Sequence, residues 1–171
     1  MKRTDAILTG GIVALAGLLV WVVAGTLTTA VVNAGDRAPK FKVTTEDGKV
    51  LTPTDFGGKL LVLNFWASWC KPCEAETPSL EQMSRLLGPK GVVVLGISMD
   101  TNEKRYKEFL SFYNISFETS RDPSADIATS YGTLQYPDTY IIDTSGKVVQ
   151  KVVNWQDWTA PQVIERLQKM L

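Results

Sequence analysis

Apolar positions divide the chain into an N-terminal apolar run and a longer region in which short apolar runs alternate with polar turns. Residues 6–35 carry no charge, and this run exceeds the roughly 20 residues with which a helix crosses a bilayer. Lys2 and Arg3 precede it, and positive charge clustered there favours keeping that end in the cytoplasm. The pattern predicts a single-pass transmembrane helix within residues 1–35, with the N-terminus inside. It predicts one domain over residues 36–171 on the periplasmic side of the cytoplasmic membrane.

Two other interpretations of the N-terminal run stay open. Val32, Asn33 and Ala34 offer small residues at the spacing that signal peptidase recognises, so the run can be a cleaved secretory signal. A buried core helix is a third interpretation, although core helices usually carry a polar face. An anchor and a signal both place residues 36–171 outside the cytoplasm.

The apolar spacing in residues 36–171 predicts both strands and helices. Two continuous apolar runs, residues 60–66 and 92–97, are typical of strands buried on both faces of a sheet. Phe41 and Val43 alternate with polar residues and precede a turn, which predicts a β-hairpin. Further strands are predicted over residues 116–119, 139–142 and 148–153. Helices are predicted over residues 70–87, 102–113 and 124–131, and from Pro161.

This order of elements predicts an α/β fold, a central mixed sheet flanked by helices with an N-terminal hairpin beside it. Thr159 is expected to cap the last helix, with Gln162 completing a capping box.

Composition excludes several classes of function. The chain has no His, so it cannot build a Ser-His-Asp or Cys-His nucleophile, nor a His-ligated metal or haem. Its two cysteines are too few for a four-thiolate zinc site or an iron–sulfur cluster. The 18 basic residues balance 18 acidic ones, which argues against nucleic-acid binding. The sequence therefore predicts no cofactor, no metal and no nucleic-acid partner.

Both cysteines lie in one motif, Cys70-Lys71-Pro72-Cys73, between a buried strand and a helix. A C-x-x-C in this position is typical of a redox-active dithiol. Backbone N–H groups and the helix dipole stabilise a thiolate at a helix start, so Cys70 is predicted to be the more accessible, attacking sulfur. Cys73, one turn further in, is predicted to resolve the mixed disulfide. The alternative is a structural disulfide, whose short loop would stabilise the fold little.

The dithiol and its neighbours resemble a known family. Residues 64–73, Asn-Phe-Trp-Ala-Ser-Trp-Cys-Lys-Pro-Cys, resemble the active-site segment of thioredoxin-like proteins. The continuation over residues 74–80 resembles the TlpA/ResA-type branch, membrane-anchored thiol–disulfide oxidoreductases with a redoxin or AhpC-TSA-like domain. Residues 96–100 and 131–146 extend the likeness, which covers about residues 39–171.

The resemblance implies a substrate-binding surface beside the dithiol. Pro137 is expected to follow a cis peptide bond and to pack against the sulfurs, leaving the backbone of Tyr136 to pair with an extended substrate. Trp69 is expected to shield the site and contact substrate. Tyr136 and Asp138 depart from the family, which often has a small apolar residue before this proline and Thr after it. The departure bears on substrate preference and reduction potential.

The resemblance also implies that Glu76 is catalytic. Glu76 lies three residues after Cys73, and a partly buried carboxylate can accept the proton that Cys73 loses. Asn64 supports this role, because thioredoxins carry a proton-accepting Asp there and Asn cannot take up a proton. The alternative is that Glu76 is a solvated charge complementing the helix N-terminus.

The leading functional hypothesis is an extracytoplasmic thiol–disulfide oxidoreductase that works mainly as a reductase. The resemblance implies exported client proteins, apocytochromes c in cytochrome c maturation among them, and a membrane thiol donor of the DsbD/CcdA type. A general disulfide oxidant or isomerase is the alternative within redox chemistry. A copper-binding assembly protein is an alternative from another class, since two thiolates bind Cu(I), although no His is present as a third ligand.

Overall fold

A computed structural model of the chain describes residues 3–26 and 31–171, and in the first range it describes the side chains of residues 10–22 only. The chain divides into two units, with the boundary between residues 30 and 31. The first unit contains one described helix, α1 (Arg3–Thr26), so the predicted N-terminal helix is confirmed. Its described apolar side chains, Ile12, Leu19 and Trp21 among them, are exposed.

The predicted membrane span is not confirmed. Of the helices in the described ranges, none combines the length and apolar character needed to cross a bilayer. The predicted signal-peptidase segment belongs to the second unit. There Val32 is buried, and its N–H donates to the Tyr131 carbonyl at 3.2 Å.

The second unit is built on a five-stranded sheet. The strands are β3 (Leu60–Trp66), β4 (Val92–Ser98), β5 (Glu118–Arg121), β6 (Asp138–Ile142) and β7 (Val148–Val153). They lie side by side in the order β5-β4-β3-β6-β7. The pairs β3–β4 and β4–β5 are parallel, whereas β3–β6 and β6–β7 are antiparallel. The short strands β1 (Val43–Thr44) and β2 (Val50–Leu51) form a separate hairpin. The predicted mixed sheet and hairpin are therefore confirmed.

Helices cover both faces of this sheet. They are α2 (Lys71–Leu87), α3 (Glu103–Phe112), α4 (Asp126–Ser130) and α5 (Pro161–Gln168). Alternate residues of β3 face opposite ways, and the buried apolar side chains accordingly form two clusters. One contains Leu60, Val62 and residues of α2 and α5, and the other contains Leu63, Phe65 and residues of α3 and α4. The fold is thioredoxin-like, and its packing places the start of α2 at the end of β3.

Three tryptophans illustrate how the chain packs. Trp66, the last residue of the run that the sequence predicts to be a buried strand, is 3% exposed. Trp158 is fully buried in the cluster that contains α5, whereas Trp155 is 51% exposed. The sequence pattern does not distinguish these last two.

The predicted cap of the last helix is wrong. Ala160, not Thr159, occupies the N-cap position of α5, and it forms no side-chain capping bond. The Thr159 N–H and hydroxyl both donate to Asp157 Oδ1, at 2.9 and 2.6 Å. This local turn competes with capping for the same groups.

Candidate active site

The two cysteines lie at the junction of β3 and α2. Cys70 is the N-cap residue of α2, and the N–H of Cys73 donates to Cys70 Sγ over 3.3 Å. Pro72 suits the first helical turn, where it has no backbone N–H bond to lose. Cys70 and Cys73 form a disulfide with their Cα atoms 5.2 Å apart, so the predicted pairing is confirmed.

A buried carboxylate holds the turn that carries the dithiol. Asp100 is 2% exposed and lies just beyond β4. It accepts hydrogen bonds from the Ser68 N–H at 2.8 Å, the Ser68 hydroxyl at 2.6 Å and the Ser98 hydroxyl at 2.7 Å. We did not predict this role from the sequence. The sequence does contain a signal for this contact. Because β3 and β4 are parallel, they end at the same edge of the sheet, so the polar residues that follow the two strands lie close together.

The loop before β6 meets the dithiol, as the resemblance implied. The Tyr136–Pro137 peptide bond is cis. The carbonyl oxygen of Tyr136 lies 3.4 Å from Cys70 Sγ, although the two residues are 66 positions apart in the chain. The structure therefore brings Cys70, Tyr136 and Pro137 into one site.

The sulfurs are less exposed than the sequence predicts. Cys70 exposes 6% of its surface and Cys73 exposes 2%, so Cys70 is the more accessible, by a small margin. The Tyr136 carbonyl oxygen, 3.4 Å from Cys70 Sγ, is one of the atoms that cover this sulfur, and both cysteines belong to a core cluster. Trp69 is 58% exposed, and its ring stands edge-on to the Tyr136 ring at 6.0 Å between centroids. The two rings, on the residues that precede Cys70 and Pro137, thus contact each other.

Glu76 is buried, which contradicts its interpretation as a solvated charge. It is 2% exposed and lies on α2, three residues after Cys73. Burial raises the pKa of its carboxyl group from 4.5 to about 7. The Gln156 N–H donates to Oε2 at 3.0 Å and Asn64 Nδ2 donates to Oε1 at 2.9 Å, and both bonds favour the ionised form. A carboxyl group in this state can gain or lose a proton near neutral pH.

Asn64 and Lys71 complete the surroundings of the dithiol. Asn64 is buried and also donates to Thr139 Oγ1 at 2.9 Å, which links β3 to α2 and β6. Lys71 is exposed, and its ammonium group lies 2.8 Å from the Glu74 carboxylate. That hydrogen bond raises the pKa of Lys71. The Lys71 charge is thus offset by Glu74.

This arrangement suits thiol–disulfide exchange. Two sulfurs bonded to each other lie at a helix start, where a backbone N–H contacts Cys70 Sγ and would stabilise a thiolate there. A backbone carbonyl oxygen lies beside Cys70 Sγ, and a buried carboxyl group with a pKa of about 7 lies one turn along α2 from Cys73. Thiol–disulfide exchange uses groups of these kinds as nucleophile, resolving thiol and proton acceptor.

Comparison with known proteins identifies similar sequences. Residues 34–151 match the AhpC/TSA family. The chain is 36% identical over 136 residues to the thiol–disulfide oxidoreductase ResA of Bacillus thuringiensis subsp. konkukian, covering 80% of this chain and 78% of that one. It is 35% identical over 123 residues to the thioredoxin-like protein YneN of Bacillus subtilis, covering 71% of each chain.

Solved structures show the same fold. A Chlorobium tepidum protein, proposed to be a thiol:disulfide interchange protein DsbE, superposes with a TM-score of 0.71 at 30% identity, covering 81% of this chain and 95% of its own. A secreted Mycobacterium tuberculosis disulfide oxidoreductase, described as homologous to Escherichia coli DsbE, gives a TM-score of 0.66 at 27% identity. The match covers 77% of this chain and 96% of that one.

Proposed function

The chain belongs to the AhpC/TSA family and is a thiol–disulfide oxidoreductase of the ResA type, and we propose that it reduces disulfides in exported client proteins. The proposal rests on two contacts of the Cys70 sulfur. This sulfur accepts a hydrogen bond from the Cys73 N–H at 3.3 Å and lies 3.4 Å from the Tyr136 carbonyl oxygen. The first contact stabilises a thiolate, and the second places a backbone acceptor where an extended client can pair.

The first chemical step is attack by the Cys70 thiolate on a client disulfide. A bond forms between Cys70 Sγ and one client sulfur, and the other client sulfur leaves as a thiolate. The product is a mixed disulfide between Cys70 and the client. Trp69 and the backbone of Tyr136, which flank Cys70, hold the client segment next to the sulfur.

The second step releases the client. Cys73 loses its proton to the Glu76 carboxylate and attacks Cys70 Sγ, forming the Cys70–Cys73 disulfide. In the same step the client sulfur that was bonded to Cys70 leaves as a thiolate. Over both steps the client gains two electrons and the enzyme loses two. Burial of Glu76 supports this role, because it brings the pKa of the carboxyl group to about 7.

The charges around the dithiol favour a reductase over a strong oxidant. Strong oxidants stabilise their thiolate to a pKa of about 3.5 and have potentials near −120 mV. Here Glu74 offsets the charge of Lys71, and the buried Glu76 carboxyl group adds negative charge one turn from Cys73 whenever it is ionised. Both effects limit the stabilisation of a thiolate.

Location and partners complete the proposal. The uncharged run over residues 6–35, the exposed apolar side chains of α1 and the secreted relative all support work on the periplasmic side. Residues 1–30 would deliver the domain there as an anchor or as a cleaved signal. Apocytochromes c, whose paired cysteines are reduced before haem attachment, are the client class that the resemblance favours. A membrane thiol donor of the DsbD/CcdA type would return the two electrons used in each cycle.

The reduction potential of Cys70–Cys73 tests the direction of the reaction. We expect a value near the roughly −270 mV of thioredoxin, measured by equilibration with glutathione or dithiothreitol. A value near −120 mV would show that the protein is an oxidant instead.

Trapping tests the two cysteine roles and identifies the clients. The Cys73→Ser variant should accumulate mixed disulfides through Cys70, because no second thiol can release the client. The Cys70→Ser variant should accumulate none. Equal trapping by both variants contradicts the assigned roles, and trapped proteins without cytochrome c cysteine pairs contradict the proposed client class.

A further inference from the structure

The loop that carries Tyr136 and Pro137 ends on a buried ion pair. Asp138 follows Pro137, opens β6 and is 2% exposed. Lys151 of the neighbouring β7 places its ammonium nitrogen 3.2 Å from Asp138 Oδ2, and its side chain is 15% exposed. A buried anion and a partly buried cation therefore meet one residue from the proline beside the dithiol.

The start of the same loop reaches this ion pair. The Thr133 hydroxyl donates to Asp138 Oδ2 at 3.0 Å. The Tyr140 hydroxyl lies 3.0 Å from that oxygen and 2.9 Å from the Tyr131 carbonyl oxygen, so its single proton serves two acceptors. The Lys151 ammonium also lies 4.7 Å from the centre of the Tyr140 ring, a cation–π distance. Residues at both ends of the loop thus converge on one carboxylate oxygen.

Fold stability alone does not account for this ion pair. Burying two charges carries a desolvation cost that their attraction often fails to exceed, and an apolar pair of similar volume is frequently as stable. The other oxygen, Asp138 Oδ1, is buried and has no hydrogen-bond partner within the described part of the chain. A second way in which such an ion pair can act is to specify one arrangement of the groups that bind it, which here are the two ends of the loop.

We infer that Asp138 and Lys151 are positioning residues, which set where the Tyr136 backbone stands relative to Cys70. This inference rests on the proposed function, in that the Tyr136 backbone is taken to pair with the client. It implies that the ion pair governs binding of a peptide disulfide, whereas a small disulfide that needs only Cys70 is insensitive to it.

The test compares two substrates in full-length protein with three sets of changes. The substrates are a short peptide closed by a disulfide and bis(2-hydroxyethyl) disulfide. The variants are Asp138→Asn, Lys151→Met and the two changes combined. Each single change should lower kcat/KM for the peptide at least tenfold, mainly through KM, and lower it less than threefold for the small disulfide.

The double variant separates positioning from stability. It contains neither charge, so it should recover most of the thermal stability lost in the single variants, because no unpaired charge stays buried. The peptide defect should persist, since the contact that sets the loop is still missing. Recovery of peptide activity together with stability would overturn the inference, as would equal losses for both substrates. If Asp138→Asn fails to fold, Lys151→Met and the double variant still decide the question.

A matched control and the unchanged protein complete the design. Glu81 is also a buried residue of α2 and pairs with Arg85, but it lies further along the helix from the dithiol than Glu76 does. It accepts a hydrogen bond from the Ser116 N–H, outside the loop that carries Tyr136. Glu81→Gln should lower stability without changing the ratio of the two kcat/KM values. If the unchanged protein shows no preference for the peptide, the proposed client binding fails. If it prefers the peptide and the variants match it, only the present inference fails.

Discussion

The environment of Glu76 strongly changes the acid–base chemistry of its side chain. Its carboxyl group is buried, and burial raises the pKa to about 7. If it accepts the Cys73 proton, the release of a client should accelerate as the pH rises through about 7, because Glu76 becomes ionised. Glu76→Gln should slow this step on the order of 100-fold and remove the inflection. Rapid mixing of a preformed mixed disulfide over a range of pH measures the step directly.

Glu81→Gln is the matched control for this prediction. Glu81 is buried on the same helix, but hydrogen bonds from Ser116 and Arg85 outweigh the effect of burial and lower its pKa. Its removal should leave the pH profile of client release unchanged. An unaltered profile in Glu76→Gln would make Glu76 a structural residue only.

Individual site residues differ in how far the sequence predicts them. The dithiol is predictable because both cysteines lie within four positions at a strand–helix boundary. Glu76 and Pro137 follow from the family resemblance. Gln156 could not be predicted, because it contributes only a backbone N–H from a loop 80 positions from Glu76, and any residue but proline supplies that group.

At the scale of elements, α4 depends on one acidic side chain. Asp122 is 6% exposed, and its carboxylate accepts the N–H groups of Asp126, Ile127 and Ala128 at 2.9–3.1 Å. These are the N–H groups that lack partners at a helix start. Asp122→Ala should therefore lower the free energy of unfolding by about 2 kcal/mol in urea titrations. Asp122→Asn, which retains one acceptor oxygen, should lose less, and equal losses would show that packing alone is responsible.

Elements are predictable where burial follows a simple periodicity. The strands β3 and β4 are buried on both faces, so their continuous apolar runs indicate strands directly. The strand β5 is Glu-Thr-Ser-Arg, which has no apolar pattern, and the predicted range of 116–119 is displaced from the observed Glu118–Arg121. Its position depends on pairing with β4, where Thr119 lies opposite Gly96, and local sequence does not encode that contact.

At the scale of the whole molecule, Glu76 makes folding depend on pH. Its pKa is about 7 in the folded protein against an ordinary 4.5, so the folded state binds the proton more tightly. The stabilisation from this group is therefore fully present below pH 4.5 and is lost as the pH rises to about 7. The difference of about 2.5 pKa units corresponds to about 3 kcal/mol in the free energy of unfolding.

Chemical denaturation between pH 4.5 and 8 measures this dependence. The unfolding free energy of the unchanged protein should fall relative to that of Glu76→Gln as the pH rises. Glutamine does not titrate, and its loss of one hydrogen-bond acceptor is the same at every pH. Parallel curves for the two proteins would contradict the raised pKa.

The overall architecture is predictable because the order of strands and helices permits few sheet topologies. Parallel β3–β4 pairing follows from a strand–helix–strand unit, and the later hairpin supplies β6 and β7. The boundary between the units is less predictable. Residues 31–35 read as part of an apolar run, yet Val32 packs in the domain core and the Gly35 N–H donates to the Val148 carbonyl at 2.8 Å. Only tertiary contacts place these residues in the domain.

The acidity of Cys70 in the reduced protein tests the central claim, that a helix start makes this sulfur the nucleophile. The rate of alkylation by iodoacetamide, followed against pH with mass spectrometry to locate the product, reports that value. We expect modification at Cys70 first, with a midpoint clearly below the roughly 8.5 of a free thiol. A midpoint at the free-thiol value, or preferential modification of Cys73, would contradict the account.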